Sequence, residues 1–213
     1  MIPDPWLTPT EDPELSPIPD ANDATIARLR QRLARPPAAA GGDLDAEPIG
    51  GWCLAAVLVP LVRRHDALTV LLTLRAPHLL HHPGQVSFPG GRVEASDRSP
   101  PDTALRETEE EIGLARERIE VLGQLPRYHT VSGFAITPVV GLVTPPFELS
   151  VDSLEVADVF EVPLPFLLDA RNRERRAIDY QGQRREYQAT VYQGRVIWGA
   201  TAGILASLGV HGF

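Results

Sequence analysis

Four glutamates lie within five positions of the segment TALRETEEEIGL, residues 103–114. The segment has the apolar spacing of an amphipathic helix, on which carboxylates three or four positions apart repel one another. At about 100° per residue, Glu107, Glu110 and Glu111 fall within a sector roughly 100° wide, whereas Glu109 points away. Convergent carboxylate oxygens are the ligands that Mg²⁺ or Mn²⁺ prefers. The alternative is a solvated acidic helix face, and the flanking sequence has to distinguish the two.

A pair of glycines precedes this helix. Gly90 and Gly91 end the segment QVSFPGG, which predicts a short strand, and a polar loop separates them from the helix. Glycines let the backbone approach a ligand closely and can leave a carbonyl free to bind a metal. We expect Asp102 or Thr103 to be the N-cap of the helix and Gly113 to end it. The order of strand, glycines, loop and carboxylate helix predicts a site that surrounds one cation.

The composition excludes several functional classes. The chain has 213 residues and a formal net charge of −8, which argues against non-specific binding to nucleic acid or an anionic membrane. A small anionic substrate is still allowed, because a bound metal can reverse the local sign of the field. The single cysteine, Cys53, cannot form an internal disulfide, which favours a reducing compartment. No apolar stretch is long enough to span a bilayer and the N-terminus does not resemble a signal peptide, so we predict a cytoplasmic protein.

The sequence pattern predicts that the chain is divided into two regions. Residues 1–50 comprise a proline-rich arm over 1–20, a short helix over about 22–34 and a linker, and residues 51–213 form the main domain. Strands are expected in CLAAVLVPLVRR, ALTVLLTLR, IEVLGQLP, GFAITPVVGLV, VADVFEVPL and REYQATVYQG, and helices in PLPFLLDA and WGATAGILASLG. Strands in mixed order with few helices favour an α+β fold over alternating βαβ units.

The glutamate segment and its surroundings resemble a known family. GGRVEASDRSPPDTALRETEEEIGL resembles the Nudix box, G-x5-E-x7-R-E-U-x-E-E-x-G-U, where U is a bulky apolar residue. Arg106 and Glu107, Glu110 and Glu111, and Gly113 match the second half of the box in register. The preceding LLTLRAPHLLHHPGQVSFPGG resembles the signature LLTxR[SA]x3Rx3Gx3FPGG of the coenzyme A diphosphatase branch. The resemblance extends over residues 54–209.

Three positions depart from these patterns. Asp97 stands where the box has its first glutamate, one residue further from the arginine, and Thr108 replaces the bulky residue after Arg-Glu. Leu80 occupies the position of the second arginine in the coenzyme A signature. Arginine suits a 3′-phosphate because its planar fork binds two oxygens, and leucine has no such donor. Leu80 does not affect the expected reaction class. It leaves open whether the substrate is coenzyme A or another nucleoside diphosphate derivative.

The resemblance implies a Nudix fold, an α/β/α sandwich around a mixed β-sheet, and hydrolysis of a nucleoside diphosphate linked to another moiety. Glu107 and Glu111 are the implied ligands of Mg²⁺ or Mn²⁺, with Glu110 and the Gly91 carbonyl as further candidates. Among the catalytic residues, Arg106 would hold the loop or a box carboxylate by a salt bridge. The general base is Glu155, in the loop VDSLEVAD, or alternatively Glu110.

The substrate-binding candidates lie outside the box. They are Arg75, from the upstream signature, and Tyr128 and Phe134, for which ordinary packing is the alternative interpretation. A basic cluster, formed by Arg171, Arg173, Arg175 and Arg176, is interpreted as a solvated turn, and the alternative is a phosphate-facing patch that compensates for Leu80.

Several substrates and one non-enzymatic role are compatible with the resemblance. Coenzyme A would give 3′,5′-ADP and 4′-phosphopantetheine. The alternatives are ADP-ribose, NADH, a dinucleoside polyphosphate or a nucleoside triphosphate, and a non-catalytic module that senses a nucleotide. Dimers are common in the family, so a homodimer is a candidate assembly.

Overall fold

A computed structural model describes residues 21–37, 39–44, 48–180 and 183–213. The proline-rich arm predicted over 1–20 lies outside the described residues. The helices are α1 (Ala21–Leu33), α2 (Pro100–Ile112), α3 (Leu164–Leu168) and α4 (Gly199–His211). The strands are β1 (Gly41–Gly42), β2 (Cys53–Arg63), β3 (Leu68–Arg75), β4 (Val86–Ser87), β5 (Gly90–Arg92), β6 (Ile119–Gln124), β7 (Tyr128–His129), β8 (Phe134–Val143), β9 (Val156–Pro163), β10 (Arg173–Tyr180), β11 (Gln183–Tyr192) and β12 (Arg195–Trp198).

Strand β2 organises a nine-stranded mixed sheet. It pairs in parallel with β8 along one edge, while its other edge pairs antiparallel with β5 at residues 55–57 and with β3 at residues 61–63. β3 continues to β4 and β9, and β8 continues to β6 and β7. A separate antiparallel sheet contains β10, β11 and β12. This topology brings the short strand β5, with its two glycines, beside the centre of the main sheet.

Helices cover both faces of the main sheet. Alternate residues of β2 point to opposite faces, so that Leu58 and Val62 pack in one core with α2, and Val59 and Leu61 pack in the other with α1, α3 and α4. All four side chains are fully buried, and each contributes roughly 1.5–3 kcal/mol by leaving water. The predicted α+β class and the sandwich around a mixed sheet are confirmed.

Helix α1 belongs to the same core. Its residues Ile26, Leu29 and Leu33 recur at helical spacing and are buried in the core that α4 shares. The Asn22 side-chain amide donates to the Arg64 carbonyl at 2.9 Å at the end of β2. The helix predicted over about 22–34 is confirmed, and the division of the chain at residue 50 stays a prediction.

Helix α2 begins earlier than the sequence analysis expected. Ser99 is its N-cap and accepts a hydrogen bond from the Asp102 amide at 3.4 Å, so the prediction of Asp102 or Thr103 is wrong. Pro100 and Pro101 occupy the first helical positions, where a missing N–H costs no intrahelical bond and the fixed φ already suits a helix. Gly113 ends the helix in the left-handed conformation, φ 66°, as predicted.

The interpretation of the arginine cluster as a turn is wrong for most of its length. Arg171 lies in a short 3₁₀ turn, but Arg173, Arg175 and Arg176 lie in β10, which pairs with β11 along its whole length. Clustered charge suggested a turn, but pairing with β11 stabilises these residues as a strand. Within the described ranges, no helix is both long and apolar enough to cross a membrane.

Candidate active site

Arg106 ties the loop after β5 to helix α2 through Asp97. Its Nε donates to Asp97 Oδ1 at 3.0 Å and its Nη2 donates to Asp97 Oδ2 at 3.1 Å, a two-point contact. Asp97 also accepts from the Thr103 hydroxyl and the Glu94 amide, both at 2.8 Å, and its side chain is only 3% exposed. These donors, Arg106 first, hold the pKa of Asp97 well below its ordinary value. Asp97 therefore serves as the anchor of the loop.

The same guanidinium contacts two carboxylates of α2. Arg106 Nη1 donates to Glu107 Oε1 at 3.1 Å and to Glu110 Oε2 at 2.9 Å. Its Nη2 reaches the Arg92 carbonyl at 3.2 Å. With its donors engaged by the protein, Arg106 orients the carboxylates of α2 and the end of β5.

Glu111 is the most buried carboxylate of the helix. Its side chain is 5% exposed, and its Oε2 accepts a hydrogen bond from the Gly90 amide at 3.1 Å. Burial, with a smaller contribution from the negative charges of Glu155 and Glu107, raises the pKa of Glu111 to about 8. The Gly90 amide and the positive charge of Arg75 act in the opposite direction. Without an additional cation, Glu111 is held in a site that disfavours its charged form.

Glu107 lies against the other glycine. A Cβ atom placed on Gly91 would be 2.4 Å from the carboxyl carbon of Glu107, so only glycine leaves room for the carboxylate in this position. Burial is the main cause that raises the pKa of Glu107, and the Arg106 charge opposes it. The backbone of residues 90–91 thus lies directly beside both buried carboxylates.

The loop before β9 adds a carboxylate from outside the helix. The Asp152 amide donates to the Glu111 carbonyl and the Ser150 amide to the Ile112 carbonyl, both at 2.9 Å, so this loop docks on the end of α2. The Glu155 carbonyl accepts from the Ala76 amide at 2.8 Å. These contacts bring Glu155 close enough for its charge to raise the pKa of Glu107 and Glu111.

Arg75 ends strand β3 on the same side of the site. Its charge lowers the pKa of Glu111, and its neighbour Ala76 is bonded to the Glu155 loop. The Arg75 Nε atom is buried, and no hydrogen-bond acceptor faces it among the described residues. A buried donor without an acceptor is costly in a folded protein, and a bound anion is one way to satisfy it.

Glu110 lies on the exposed side of the carboxylate group. Its side chain is 59% exposed and is engaged by Arg106, whereas Glu109 points away and accepts from Arg116 at 3.2 Å. Within the described part of the chain, no three His, Cys, Asp or Glu side chains are grouped closely enough to hold a metal by themselves. Glu107 and Glu111, beside the backbone at Gly91, nevertheless fit a divalent cation, because carboxylate oxygens are hard ligands. The pKa of both groups is raised, so the positive charge around them does not compensate for the burial of their charged forms.

The two aromatic candidates have different surroundings. The Tyr128 hydroxyl donates to Asp43 Oδ1 at 2.7 Å, and its ring packs against Gly203 of α4, where an added Cβ would be 2.3 Å away. The hydroxyl is thus bonded to the residue after β1, and the ring packs against α4. Phe134 starts β8, and its ring centroid lies 5.4 Å from the guanidinium carbon of Arg92. The structure therefore connects Phe134, through Arg92, to the strand that carries Gly91.

Arg92 was not identified by the sequence analysis. It follows the glycine pair directly and is the last residue of β5. The signal that could have identified it is its place next to the predicted metal-binding carbonyl of Gly91.

The chain is similar to proteins of one known family. Residues 53–174 match the NUDIX domain. The Nudix hydrolase NudL of Enterobacter sp. (strain 638) is 43% identical over 157 residues, which cover 74% of this chain and 81% of that protein. NudL of Photorhabdus laumondii is 40% identical over 154 residues, 72% of this chain and 82% of its own. A solved MutT/nudix family protein from Enterococcus faecalis superposes with a TM-score of 0.47 at 20% identity, over 79% of this chain and 64% of that chain. The family match over more than half of the chain, with relatives above 40% identity, shows that this protein belongs to the Nudix hydrolases, which act on nucleoside diphosphate derivatives.

Proposed function

We propose that the protein hydrolyses the diphosphate of coenzyme A or a derivative of it, giving 3′,5′-ADP and 4′-phosphopantetheine. The observation that carries the proposal is the position of Arg75, the arginine of LLTLR, beside the carboxylates of α2. The upstream motif and the carboxylate helix, about 30 residues apart in the sequence, are parts of one site. An arginine with a buried and unsatisfied Nε at that point is suited to a phosphate oxygen.

Nudix hydrolases use divalent metal ions. In this chain Glu107, Glu111 and the Gly91 carbonyl would hold Mg²⁺ or Mn²⁺, with Glu110 at the exposed rim. When bound, such a cation neutralises charge on the diphosphate and acidifies water. Arg106 keeps Glu107 in place by a hydrogen bond to its carboxylate, and Arg75 binds and orients the diphosphate oxygens.

Glu155 is proposed as the general base that takes a proton from the attacking water. Its carboxylate is exposed, yet its charge acts on both Glu107 and Glu111. A base must lie within reach of the nucleophile while remaining accessible to solvent for proton release. Glu110, the alternative, accepts a hydrogen bond from Arg106 at 2.9 Å, so its carboxylate is already engaged by the protein.

Leu80 favours a second candidate function, hydrolysis of ADP-ribose, NADH, a dinucleoside polyphosphate or a nucleoside triphosphate. Its side chain is 93% exposed and offers no hydrogen-bond donor to a 3′-phosphate. A non-catalytic sensing role has less support, because Glu107, Glu110 and Glu111 are all present. The cytoplasmic location and the homodimer stay predictions.

Product analysis distinguishes these functions. Purified protein with Mg²⁺ or Mn²⁺ is incubated with coenzyme A, acetyl-coenzyme A, NADH, ADP-ribose and diadenosine polyphosphates, and the products are separated by chromatography. We expect 3′,5′-ADP and phosphopantetheine to form fastest. Glu111→Gln should abolish the reaction, whereas Glu109→Gln, on the opposite side of the same helix, should not. Cleavage of another diphosphate while coenzyme A stays intact would replace the proposed substrate, and no cleavage of any compound would favour the sensing role.

A further inference from the structure

Coenzyme A presents two separate phosphate groups, and the site described above accounts for only one of them. The diphosphate is placed at Glu107, Glu111 and Arg75. The 3′-phosphate on the ribose needs a donor of its own, because a dianion removed from water must be paired. At the position where the coenzyme A signature has its second arginine, this chain has Leu80.

Several arginines of the chain are already bound to carboxylates. Arg106 is held by Asp97, and four more form the salt bridges Arg98–Asp102, Arg116–Glu109, Arg171–Asp169 and Arg195–Asp158. An arginine that already pairs with a carboxylate must give up that contact to bind a phosphate. Arg75 acts on Glu111 and is assigned to the diphosphate.

Arg92 differs from all of these. Its side chain is exposed, and no carboxylate among the described residues forms a salt bridge with it. Its guanidinium instead lies over the ring of Phe134, 5.4 Å from the centroid, which leaves its N–H groups free for an anion. Its backbone is fixed, since its carbonyl accepts from Arg106 Nη2 at 3.2 Å and its strand pairs with β2.

The position of Arg92 on β5 relates it to the diphosphate site. Gly91 faces α2 and touches Glu107, so alternation along the strand directs the Arg92 side chain to the opposite face. Among the described strands, β5 pairs with β2 alone, and on its other edge the Gly90 amide and the Arg92 carbonyl are bonded to the side chains of Glu111 and Arg106. Arg92 directly follows Gly91 in the chain, so a ligand whose diphosphate lies beside Gly91 can place a second phosphate group beside the Arg92 side chain.

We propose that Arg92, supported by the Phe134 ring, binds the 3′-phosphate of the substrate and sets its specificity. The inference rests on the proposed coenzyme A activity and names the residue that takes over the task for which Leu80 is unsuited. The ring holds the guanidinium in place without competing for its donors, and the planar fork can contact two phosphate oxygens. Removal of Arg92 weakens recognition of substrates that carry a 3′-phosphate and has little effect on those that lack it.

The test compares two substrates that differ only in this group. kcat/KM is measured for coenzyme A and for 3′-dephospho-coenzyme A with wild type, Arg92→Ala and Arg92→Lys. For Arg92→Ala we expect kcat/KM for coenzyme A to fall about 10- to 100-fold, the usual effect of losing hydrogen bonds to a charged group, with a change below about threefold for the dephospho compound. Arg92→Lys should recover part of the loss, because it keeps the charge but not the fork.

Arg98→Ala is the matched control. Arg98 is an exposed arginine on the loop that follows β5, and its partner is Asp102. We expect this variant to treat both substrates as wild type does. An equal loss of activity on both substrates in Arg92→Ala would overturn the inference, since Arg92 would then act on the diphosphate or on the fold.

Binding without turnover separates this inference from the proposed function. Calorimetric titration of metal-free protein with 3′,5′-ADP and with 5′-AMP measures the affinity for the 3′-phosphate directly. We expect 3′,5′-ADP to bind at least tenfold more tightly than 5′-AMP in wild type, and the two to bind equally in Arg92→Ala. That result supports the role of Arg92 in binding the 3′-phosphate even if coenzyme A is not cleaved. The absence of cleavage would contradict only the proposed reaction. Equal affinities in wild type would overturn the role of Arg92 even if coenzyme A is cleaved.

Discussion

The Glu107 carboxylate lies so close to Gly91 that a methyl group at residue 91 would come within 2.4 Å of the carboxyl carbon. Strand β5 and helix α2 are therefore fitted to each other at the point where the proposed metal ligands meet. The conflicting atoms belong to the end of a flexible side chain, so the fold can accommodate a larger residue by moving the carboxylate.

We expect Gly91→Ala to fold but to lose at least about 100-fold in kcat/KM, because a displacement of about 1 Å at a catalytic group can have that effect. Gly41→Ala is the control, since an added Cβ there meets nothing within 4 Å. Steady-state kinetics and melting temperatures of both variants are compared with wild type. Full activity in Gly91→Ala would remove Glu107 from the proposed ligand set.

Divalent metal should stabilise the fold through Glu107 and Glu111. A ligand that binds only the folded chain adds about 2.7 kcal/mol to the free energy of unfolding at one hundred times its Kd, so the melting temperature should rise with Mg²⁺ or Mn²⁺. Glu111→Gln should abolish this rise. Glu109→Gln should retain it, because Glu109 faces Arg116 on the other side of α2. A rise of equal size in Glu111→Gln would place the metal elsewhere.

The raised pKa of Glu111, about 8 against an ordinary 4.5, predicts a pH-dependent stability in the absence of metal. The folded chain holds this proton more tightly than the unfolded chain does, so the contribution is complete below about pH 4.5 and is lost as the pH rises through about 8. Urea unfolding in a chelator should therefore give a lower free energy of unfolding at about pH 8 than at about pH 5. Glu111→Gln should reduce that difference, and an unchanged difference would show that other groups cause it.

Arg106 and Asp97 should act as one unit. Arg106→Ala leaves the shielded Asp97 carboxylate without its main partner, and Asp97→Asn removes the two-point contact from the other side. We expect each single variant to lower kcat and melting temperature, and the double variant to cost clearly less than the sum of the two. Arg98→Ala, which breaks an exposed pair in the same region, should be close to wild type. Additive effects would mean that the two residues act independently.

Glu155→Gln tests the proposed general base. Loss of a base typically lowers kcat about 10²- to 10⁴-fold, and KM should change little because the substrate contacts remain. Glu110→Gln should have the smaller effect, since Glu110 is exposed and engaged by Arg106. The reverse order of the two variants would assign the base to Glu110.

Some features could have been predicted from the sequence but were missed. Ser99 followed by two prolines is a recognisable helix start, whereas the expected N-cap was Asp102 or Thr103. The charged segment of β10 was harder to predict, because its strand state depends on pairing with β11 rather than on its own composition. The burial of α1 against the core likewise depends on surfaces distant in the sequence.

The sequence by itself determined the carboxylate helix, its end at Gly113, the glycine pair before it and the strands around β2. Periodicity, capping and turn residues act over a few neighbouring positions, so they can be recognised without knowing the fold. Only the tertiary structure decided that Glu111 is buried while Glu110 is exposed, and that Arg75 and Glu155 lie at the same site. Burial and long-range charge are properties of packed elements, and residues 75, 111 and 155 come together only when the sheet and α2 are in place.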